Sequence, residues 1–288
     1  MLPLTGSKRL AYLYVLICLI ALGILVASAL PFNFVLSVYE GILQPGVSVS
    51  FVSIDYYVAV LSDPNFHRAF IDSLIFTFST DIGALLLGLL TALLCNAITR
   101  GRAFVRGVVL LPYIVPLISV AYAWRFMFHP VSGIINYILV GVFHVLKQPV
   151  NWVMDPKYAM TAVIIFDIWR YFPFSYLIIL AALQSIDKAL YEAAEIDGAN
   201  RLQRFLHITL PQLRFVLAAV FLIRFIWNIN KFDDIYLLSA GVVTTVPVYA
   251  YKTAFTSYDY TRGAVINLIM AGFTFIILVI YIRRVLKW

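Results

Sequence analysis

Residues 69–98 read AFIDSLIFTFSTDIGALLLGLLTALLCNAI, a run of thirty residues in which two aspartates are the only charged side chains. A bilayer core about 30 Å thick needs about 20 apolar residues in a helix, because lipid offers no hydrogen-bond partners to the backbone. The run therefore predicts a membrane-spanning helix. Five other runs pass the same test, and the six predicted spans are residues 10–30, 69–98, 105–128, 158–183, 215–240 and 263–282.

The composition of the whole chain agrees with a membrane environment. Hydrophobic residues make up 63% of the chain, charged residues only 12%, and the mean hydropathy is +0.94. A soluble domain is roughly half apolar and about a quarter charged. The formal charge of +7 is split into short clusters between the apolar runs, which is not the continuous basic stripe of a nucleic-acid-binding protein. We predict an all-α polytopic membrane protein that binds no nucleic acid.

The basic clusters also predict the orientation of the spans. If six spans alternate, the basic residues of the short loops fall on one side, which the positive-inside rule makes the cytoplasm. These residues are Lys8, Arg9, Arg100, Arg102, Arg106, Lys188, Arg201, Arg204, Arg214, Arg283, Arg284 and Lys287. Both termini are then cytoplasmic. The first run is longer than the apolar region of a signal peptide, so we interpret residues 1–68 as an uncleaved anchor helix followed by an external segment.

Residues 183–211, LQSIDKALYEAAEIDGANRLQRFLHITLP, differ from an ordinary loop because strong helix formers lie on both sides of one glycine. This pattern predicts a cytoplasmic helix, turn and helix. We expect Asp187 to cap the first helix, Gly198 to provide a left-handed turn, and Pro211 to stop or bend the second helix.

The second helix of this segment carries an apolar face at helical spacing, formed by Leu202, Phe205 and Leu206. A short helix with an apolar knob and charged sides is suited to a groove on a soluble partner. The alternative is an amphipathic helix on the membrane surface, with Arg201 and Arg204 close to anionic lipid.

The spacing Glu192-Ala193-Ala194, three residues, Gly198, nine residues, Ile208-x-Leu210-Pro211 resembles the EAA signature of permease subunits of ATP-binding-cassette (ABC) importers. These permeases are the inner-membrane components of binding-protein-dependent transport. The resemblance implies a type I importer permease fold with a core domain at 69–288 and an EAA loop at about 185–213. It implies that the loop couples to the ATPase through Glu192, Ala193, Ala194, Gly198, Phe205, Ile208, Leu210 and Pro211.

Other segments resemble the carbohydrate branch of that family, which serves maltose-type and glycerol-phosphate-type substrates. They are residues 51–57, 62–66, 110–116, 133–136, 167–170, 232–238 and 249–255. Residues 133–136, GIIN, are typical of the first of two unlike permeases. The resemblance implies a second six-helix permease, two ATPase subunits, an external solute-binding protein and a sugar substrate, in the inner membrane of a prokaryote. The chain has no Walker-type loop, so ATP and Mg²⁺ would be used by the ATPases, and we expect this chain to bind no cofactor and to catalyse no reaction.

Charged and amide residues inside the predicted spans are candidates for the substrate cavity, since such groups tend to face a cavity or each other. Arg224, Trp227, Asn228 and Lys231 share one face of the fifth span, and Asp167 and Arg170 lie at a similar depth, about 15 Å in, on the fourth. An indole, an amide and charged groups suit a sugar. The resemblance adds Asn267. The alternative is that Arg224 pairs with Asp167 or Asp81 to hold helices together.

The sequence leaves other functions open. The cationic Arg224 and Lys231 leave an anionic solute possible, such as glycerol-3-phosphate or its diesters. An ion-driven secondary transporter usually has an internal repeat, and none is evident between spans one to three and four to six. A membrane enzyme is disfavoured because no nucleophile, base or metal constellation recurs at one depth, and the cysteines Cys18 and Cys95 and four scattered histidines form no metal-binding pattern.

Overall fold

The computed structural model of the chain describes residues 5–43, 46–52, 54–98 and 100–285 and is almost entirely helical. The helices are α1 (Thr5–Val38), α2 (Asp55–Leu61), α3 (Pro64–Ala97), α4 (Arg102–Ile114), α5 (Leu117–Met127), α6 (Ile134–Asn136), α7 (Pro156–Ser185), α8 (Lys188–Ile196), α9 (Arg201–Arg204), α10 (Leu210–Ile229), α11 (Asp233–Ser239), α12 (Val246–Tyr251) and α13 (Tyr260–Arg284). Three π-helical segments follow α6, α9 and α12, namely Tyr137–Val142, Phe205–Thr209 and Lys252–Thr256. Two strands, β1 (Tyr39–Glu40) and β2 (Ser50–Phe51), pair antiparallel.

Four helices in the described part of the chain are long and apolar enough to cross a membrane: α3, α7, the continuous helix Arg201–Ile229 and α13. The bent pair α4 and α5 makes a fifth if it is counted as one span. The predicted first span lies inside α1, whose described apolar stretch Tyr12–Gly23 is shorter than a span. The fold class is confirmed, and the count of six spans stays a prediction.

The third predicted span is not one straight helix. α4 and α5 meet at an angle of 88°. Val115 and Pro116 are extended at the junction, with ψ values of 135° and 134°. A residue before proline is pushed out of the helical region by the proline ring, so the sequence Val115-Pro116 ends α4. In contrast, Pro173 lies inside α7 without ending it.

The fifth predicted span, 215–240, was too long. α10 ends at Ile229, and α11 begins at Asp233, with Asp233 and Asp234 in its first turn. Carboxylates favour the first turn of a helix because they face its positive end. Hydropathy alone extends the run through this break, since apolar residues continue on both sides.

The chain divides into two units, of which the first is Met1–Phe66 with Tyr249–Ala271. Several of its side-chain hydrogen bonds end on two carboxylates, Glu40 and Asp63. Glu40 accepts hydrogen bonds from Ser50 and from the Tyr56 phenol, at 3.1 and 3.0 Å. Asp63 accepts from the Tyr249 phenol at 2.5 Å and from the Arg262 guanidinium at 2.6 Å. The Glu40 bonds join the strand pair to α2, and the Asp63 bonds join the residues between α2 and α3 to α12 and α13.

The second unit is His67–Val248 with Gly272–Trp288. Its core contains aromatic and aliphatic side chains of α3, α5, α7 and α11, including Phe76, Phe166 and Leu238. α3 passes very close to α7 at Gly88, where an added Cβ would lie 2.7 Å from Ser175 Cβ and 3.1 Å from the Phe172 carbonyl oxygen. Small residues at such crossings let membrane helices pack backbone to backbone.

Candidate functional site

The first candidate site is the EAA hairpin, residues 187–211. The Asp187 side chain accepts a hydrogen bond from the Ala189 backbone N–H at 2.9 Å and caps α8. Gly198 has φ +77° in the turn after α8, a conformation that glycine adopts without the Cβ penalty of other residues. These two observations confirm the predicted helix, turn and helix.

The second arm of the hairpin differs from the prediction at Pro211. Asn200 and Gln203 form a capping box that starts α9. The helix then runs through the π-helical segment Phe205–Thr209 into α10 and reaches Ile229 without a stop. A proline inside a helix clashes with the carbonyl four residues earlier. That carbonyl belongs to His207, inside the π-helical segment, where the wider turn accommodates the ring.

The tip of the hairpin presents apolar side chains to the surroundings. Ile196 is 87% exposed, Leu202 65% and Leu206 46%. The predicted coupling residues include exposed Glu192, Ala193, Gly198 and Pro211 and half-buried Ala194, Phe205, Ile208 and Leu210. A depression of about 310 Å³ lies between the arms, lined by Ala194, Asp197, Gly198, Ala199, Gln203, Arg204, His207 and Ile208. Exposed apolar groups with charged neighbours are typical of a docking surface.

The second candidate site is a set of six charged side chains buried in the second unit, which we call the buried charge network. Its members are Asp81 of α3, Asp167 and Arg170 of α7, Arg224 of α10, Lys231 of the segment after α10, and Asp234 of α11. The three carboxylates balance the three cations, so the network is neutral.

Arg224 lies at the centre of the network and is 1% exposed. Its guanidinium is 3.5 Å from an Asp81 oxygen and 3.6 Å from an Asp167 oxygen. Asn228, one turn further along α10, donates to the same Asp81 oxygen at 2.7 Å. The alternative that Arg224 pairs with Asp167 or Asp81 is thus confirmed for both partners.

Lys231 extends the network to α11. Its ammonium donates to Asp167 at 2.5 Å and lies 3.4 Å from Asp234. The same ammonium sits 3.6 Å from the centre of the Tyr171 ring, and the Tyr171 hydroxyl donates to Asp234 at 2.9 Å. A cation over an aromatic face gains further electrostatic stabilisation when it is desolvated.

Arg170 connects the network to the bend of the third span. One guanidinium nitrogen donates to the Val115 carbonyl at 3.0 Å and to the Pro112 carbonyl at 3.4 Å, and Nε lies 3.8 Å from Asp234. The last carbonyls of a helix have no intrahelical partner, and a cation there is favourable. Arg170 therefore caps the C-terminal end of α4 at the point where the span turns.

Asp234 and Tyr171 were not among the predicted site residues. Asp234 follows Lys231 by three residues inside a predicted apolar span, and such a pair of opposite charges is the signal that could have identified it. Nothing in the sequence marks Tyr171, since its role depends on which helices α7 packs against.

The two remaining cavity candidates lie outside the network. Trp227 is 46% exposed, and its ring packs 4.9 Å from that of Phe174. Phe174 and Tyr171 in turn lie 6.4 and 6.0 Å from Tyr113. We call Tyr113, Tyr171, Phe174 and Trp227 the aromatic strip. Asn267 is exposed on the part of α13 that belongs to the first unit. The predicted contacts of all seven cavity candidates with substrate stay a prediction.

Within the described ranges, no group of three or more His, Cys, Asp and Glu side chains is placed to hold a metal ion. The carboxylates of the buried charge network are each turned toward a cation of the chain itself.

Comparison with known proteins gives a consistent result over most of the chain. Residues 84–287 match the family described as "Binding-protein-dependent transport system inner membrane component". The inner membrane ABC transporter permease protein YcjO of Escherichia coli is 39% identical over 267 residues, which cover 93% of this chain and 91% of the relative. The trehalose/maltose transport system permease protein MalF of Thermococcus litoralis is 35% identical over 239 residues, which cover 81% and 79%.

Among solved structures, a similar chain comes from a bacterial ABC transporter involved in the import of the acidic polysaccharide alginate. It matches with a TM-score of 0.82 at 23% identity, and the match covers 98% of both chains. This similarity shows that the fold is shared.

Proposed function

Because the chain belongs to the family of binding-protein-dependent transport system inner membrane components, we propose that it carries a sugar across the membrane as one permease subunit of an ATP-driven importer. The relative from Thermococcus litoralis is named for trehalose and maltose transport, which supports a sugar as the substrate class. This chain then supplies the path, and it performs no covalent chemistry.

The observation that carries the sugar proposal is the aromatic strip. Its members lie side by side, and Tyr113 and Trp227 are 37% and 46% exposed. A sugar can place its C–H face on an aromatic ring and its hydroxyls on nearby polar groups. The cations next to the strip are already paired, so the strip suits a neutral ligand.

An anionic solute fits the structure less well. Arg224 and Lys231 were the residues that left glycerol-3-phosphate or its diesters open. Each now contacts two network carboxylates: Asp81 and Asp167 for Arg224, and Asp167 and Asp234 for Lys231. To bind phosphate, these cations would have to leave buried carboxylates unpaired, which costs several kcal/mol. The alternative of an ion-driven secondary transporter is disfavoured, because the chain belongs to the family of binding-protein-dependent transport components.

The family and the hairpin both support an assembly with further subunits. We propose that the EAA hairpin projects into the cytoplasm, where both termini also lie, and docks its apolar tip on one of two ATPase subunits. Those subunits use ATP and Mg²⁺. A second six-helix permease completes the path, and an external solute-binding protein delivers the sugar. ATPase closure then moves the hairpin and switches the permease between inward-open and outward-open states.

The test is transport by the reconstituted complex of this chain with its second permease, ATPases and binding protein. We expect uptake of a neutral saccharide from a panel that also contains glycerol-3-phosphate. Trp227→Ala should lower sugar uptake about fivefold, since an aromatic contact contributes about 1 kcal/mol beyond its buried area. Phe275→Ala, which removes a ring that is 64% exposed on α13, is the matched control and should leave uptake unchanged. Uptake of glycerol-3-phosphate with no uptake of sugar would contradict the proposal.

A further inference from the structure

The two arms of the EAA hairpin differ in how they connect to the membrane helices. The second arm is continuous with α10, since the helix Arg201–Ile229 has no break. The first arm is not continuous with α7. Ile186 and Asp187 are both extended between α7 and α8, with ψ values of 129° and 126°. Helical continuity therefore fixes the direction of the second arm. The direction of α8, in contrast, has to be fixed by contacts with its neighbours.

Among the described residues, two side-chain hydrogen bonds join α8 to the second arm. Arg204 donates to Glu195 at 3.1 Å near the tip, and the Glu195 side chain is 71% exposed. Ion pairs this exposed contribute little to stability. Near the base, the Tyr191 hydroxyl and the Thr209 hydroxyl form a hydrogen bond of 2.8 Å. Thr209 is 5% exposed and Tyr191 is half-buried, so water competes less for this bond.

Thr209 has a special position in the second arm. It is the last residue of the π-helical segment Phe205–Thr209, and α10 begins at the next residue. π-helical turns are rare, and they occur often at functional sites. The bond from Tyr191 therefore holds α8 at the point where the hairpin becomes the membrane helix that carries Arg224 and Asn228.

We propose that the Tyr191–Thr209 hydrogen bond is the link through which movement of α8 is passed to α10, which makes Tyr191 and Thr209 positioning residues for coupled transport. With the bond, a push on the hairpin tip moves α8 and α10 as one body. Without it, α8 pivots at the extended residues Ile186 and Asp187, and α10 stays behind. The transport consequence rests on the proposed function, whereas the coupling of the two helices is a property of this chain.

The first experiment measures sugar transported per ATP hydrolysed by the complete reconstituted complex. Tyr191→Phe removes only a hydroxyl, and Thr209→Val replaces the hydroxyl with a methyl group of similar size. Each should lower the transport-to-hydrolysis ratio about threefold to tenfold, as expected for the loss of one hydrogen bond, while ATP hydrolysis continues. The double variant should be no worse than either single variant, because both remove the same bond.

Two variants serve as controls. Thr209→Ser keeps a hydroxyl and should keep the wild-type ratio. Glu195→Gln weakens the exposed contact at the tip and should change the ratio less than twofold. If Tyr191→Phe keeps the wild-type ratio in an intact complex, or if the double variant equals the product of the two single effects, the proposal is overturned.

The second experiment needs no transported solute. Spin labels replace Ile196 at the tip and Phe215 on α10, both of which are exposed, in full-length chain whose Cys18 and Cys95 have been substituted. In the assembled complex, the distribution of distances between the labels should be narrow and should change little when nucleotide binds. In Tyr191→Phe the distribution should broaden or shift. An unchanged narrow distribution in that variant overturns the link, even if the complex carries a solute other than sugar.

Discussion

The buried charge network and the EAA hairpin both concentrate charged residues, but they use them in opposite ways. In the network, Arg224 is 1% exposed and contacts two carboxylates. In the hairpin, Glu195 is 71% exposed and has one partner at 3.1 Å. A buried charged side chain needs a partner of opposite charge, because an unpaired ion inside the protein is very costly. The network therefore fixes the positions of helices, whereas the hairpin keeps its surface available to another protein.

The largest expected effect comes from removing the central cation of the network. Arg224→Met keeps much of the side-chain length but leaves Asp81 and Asp167 with less compensation. We expect the free energy of unfolding to fall by about 3–5 kcal/mol, which is the usual cost of removing one partner of a buried ion pair. The measurement is thermal unfolding in nanodiscs.

Arg201→Met, at an exposed position of the hairpin, is the control for this comparison and should change stability by less than about 0.5 kcal/mol. Adding Asp81→Asn to Arg224→Met should recover part of the loss, since it removes the carboxylate that the first substitution leaves without an ion-pair partner, whereas Asp167 keeps Lys231. Equal shifts for the two arginine variants would mean that burial does not distinguish the two regions.

A smaller effect is expected at the turn of the hairpin. Gly198 has φ +77°, and no atom lies within 4 Å of the place where a Cβ would be. Gly198→Ala therefore adds backbone strain without a steric clash, about 1–2 kcal/mol. We expect weaker binding of the ATPase subunits, measured by co-purification, and a loss of unfolding free energy no larger than this strain.

Gly272→Ala gives the matched control for that substitution, because Gly272 lies inside α13 with open space around it. Alanine is favoured over glycine in a helix by roughly 0.5–1 kcal/mol. This variant should therefore be neutral or slightly stabilising. A loss of ATPase binding in Gly272→Ala as large as in Gly198→Ala would argue against a specific role of the turn.

The smallest effect is expected at Asp63, a partly buried carboxylate in the first unit. It is intermediate between the buried network and the exposed hairpin. Burial raises the pKa of Asp63, but the hydrogen bonds from Tyr249 and the Asn65 backbone and the charge of Arg262 outweigh it, and the net pKa is lowered. The stabilisation from Asp63 is then fully present above the ordinary aspartate pKa and is lost as pH falls through the lowered value. The protection factors for hydrogen exchange in residues 249–262, which correct for the slower intrinsic exchange at low pH, should fall only in that acidic range. Asp63→Asn should show no such acid-dependent step.

The features that could be predicted from the sequence are local ones. The apolar runs located the helices because a bilayer imposes length and composition on each span separately. Asp187 and Gly198 were assigned correctly because caps and left-handed turns depend on a few neighbouring residues. The break at Asn230–Phe232 was missed, because apolar residues continue on both sides of it.

The network could be predicted only in part, because its contacts are made between distant segments. Arg224 is 143 positions from Asp81 along the chain (224 − 81), and only the packing of α3, α7 and α10 brings them together. Spacing on the predicted fifth span placed Arg224, Asn228 and Lys231 on one face but gave no reason to separate Trp227 from them. In the structure Trp227 contacts Phe174 and is half exposed. Tertiary packing decides which residues of one helix face contact a neighbouring helix.

The neutrality of the network restricts how this permease can evolve or be redesigned. A single substitution that removes the charge at any of its six positions leaves an odd charge in the interior, so such changes have to arrive as compensating pairs. Tyr113, Phe174 and Trp227 of the aromatic strip are uncharged, so substitutions there need no compensating change of charge. Mutant libraries aimed at a new substrate preference are therefore best confined to Tyr113, Phe174 and Trp227, with the six ionic positions held constant.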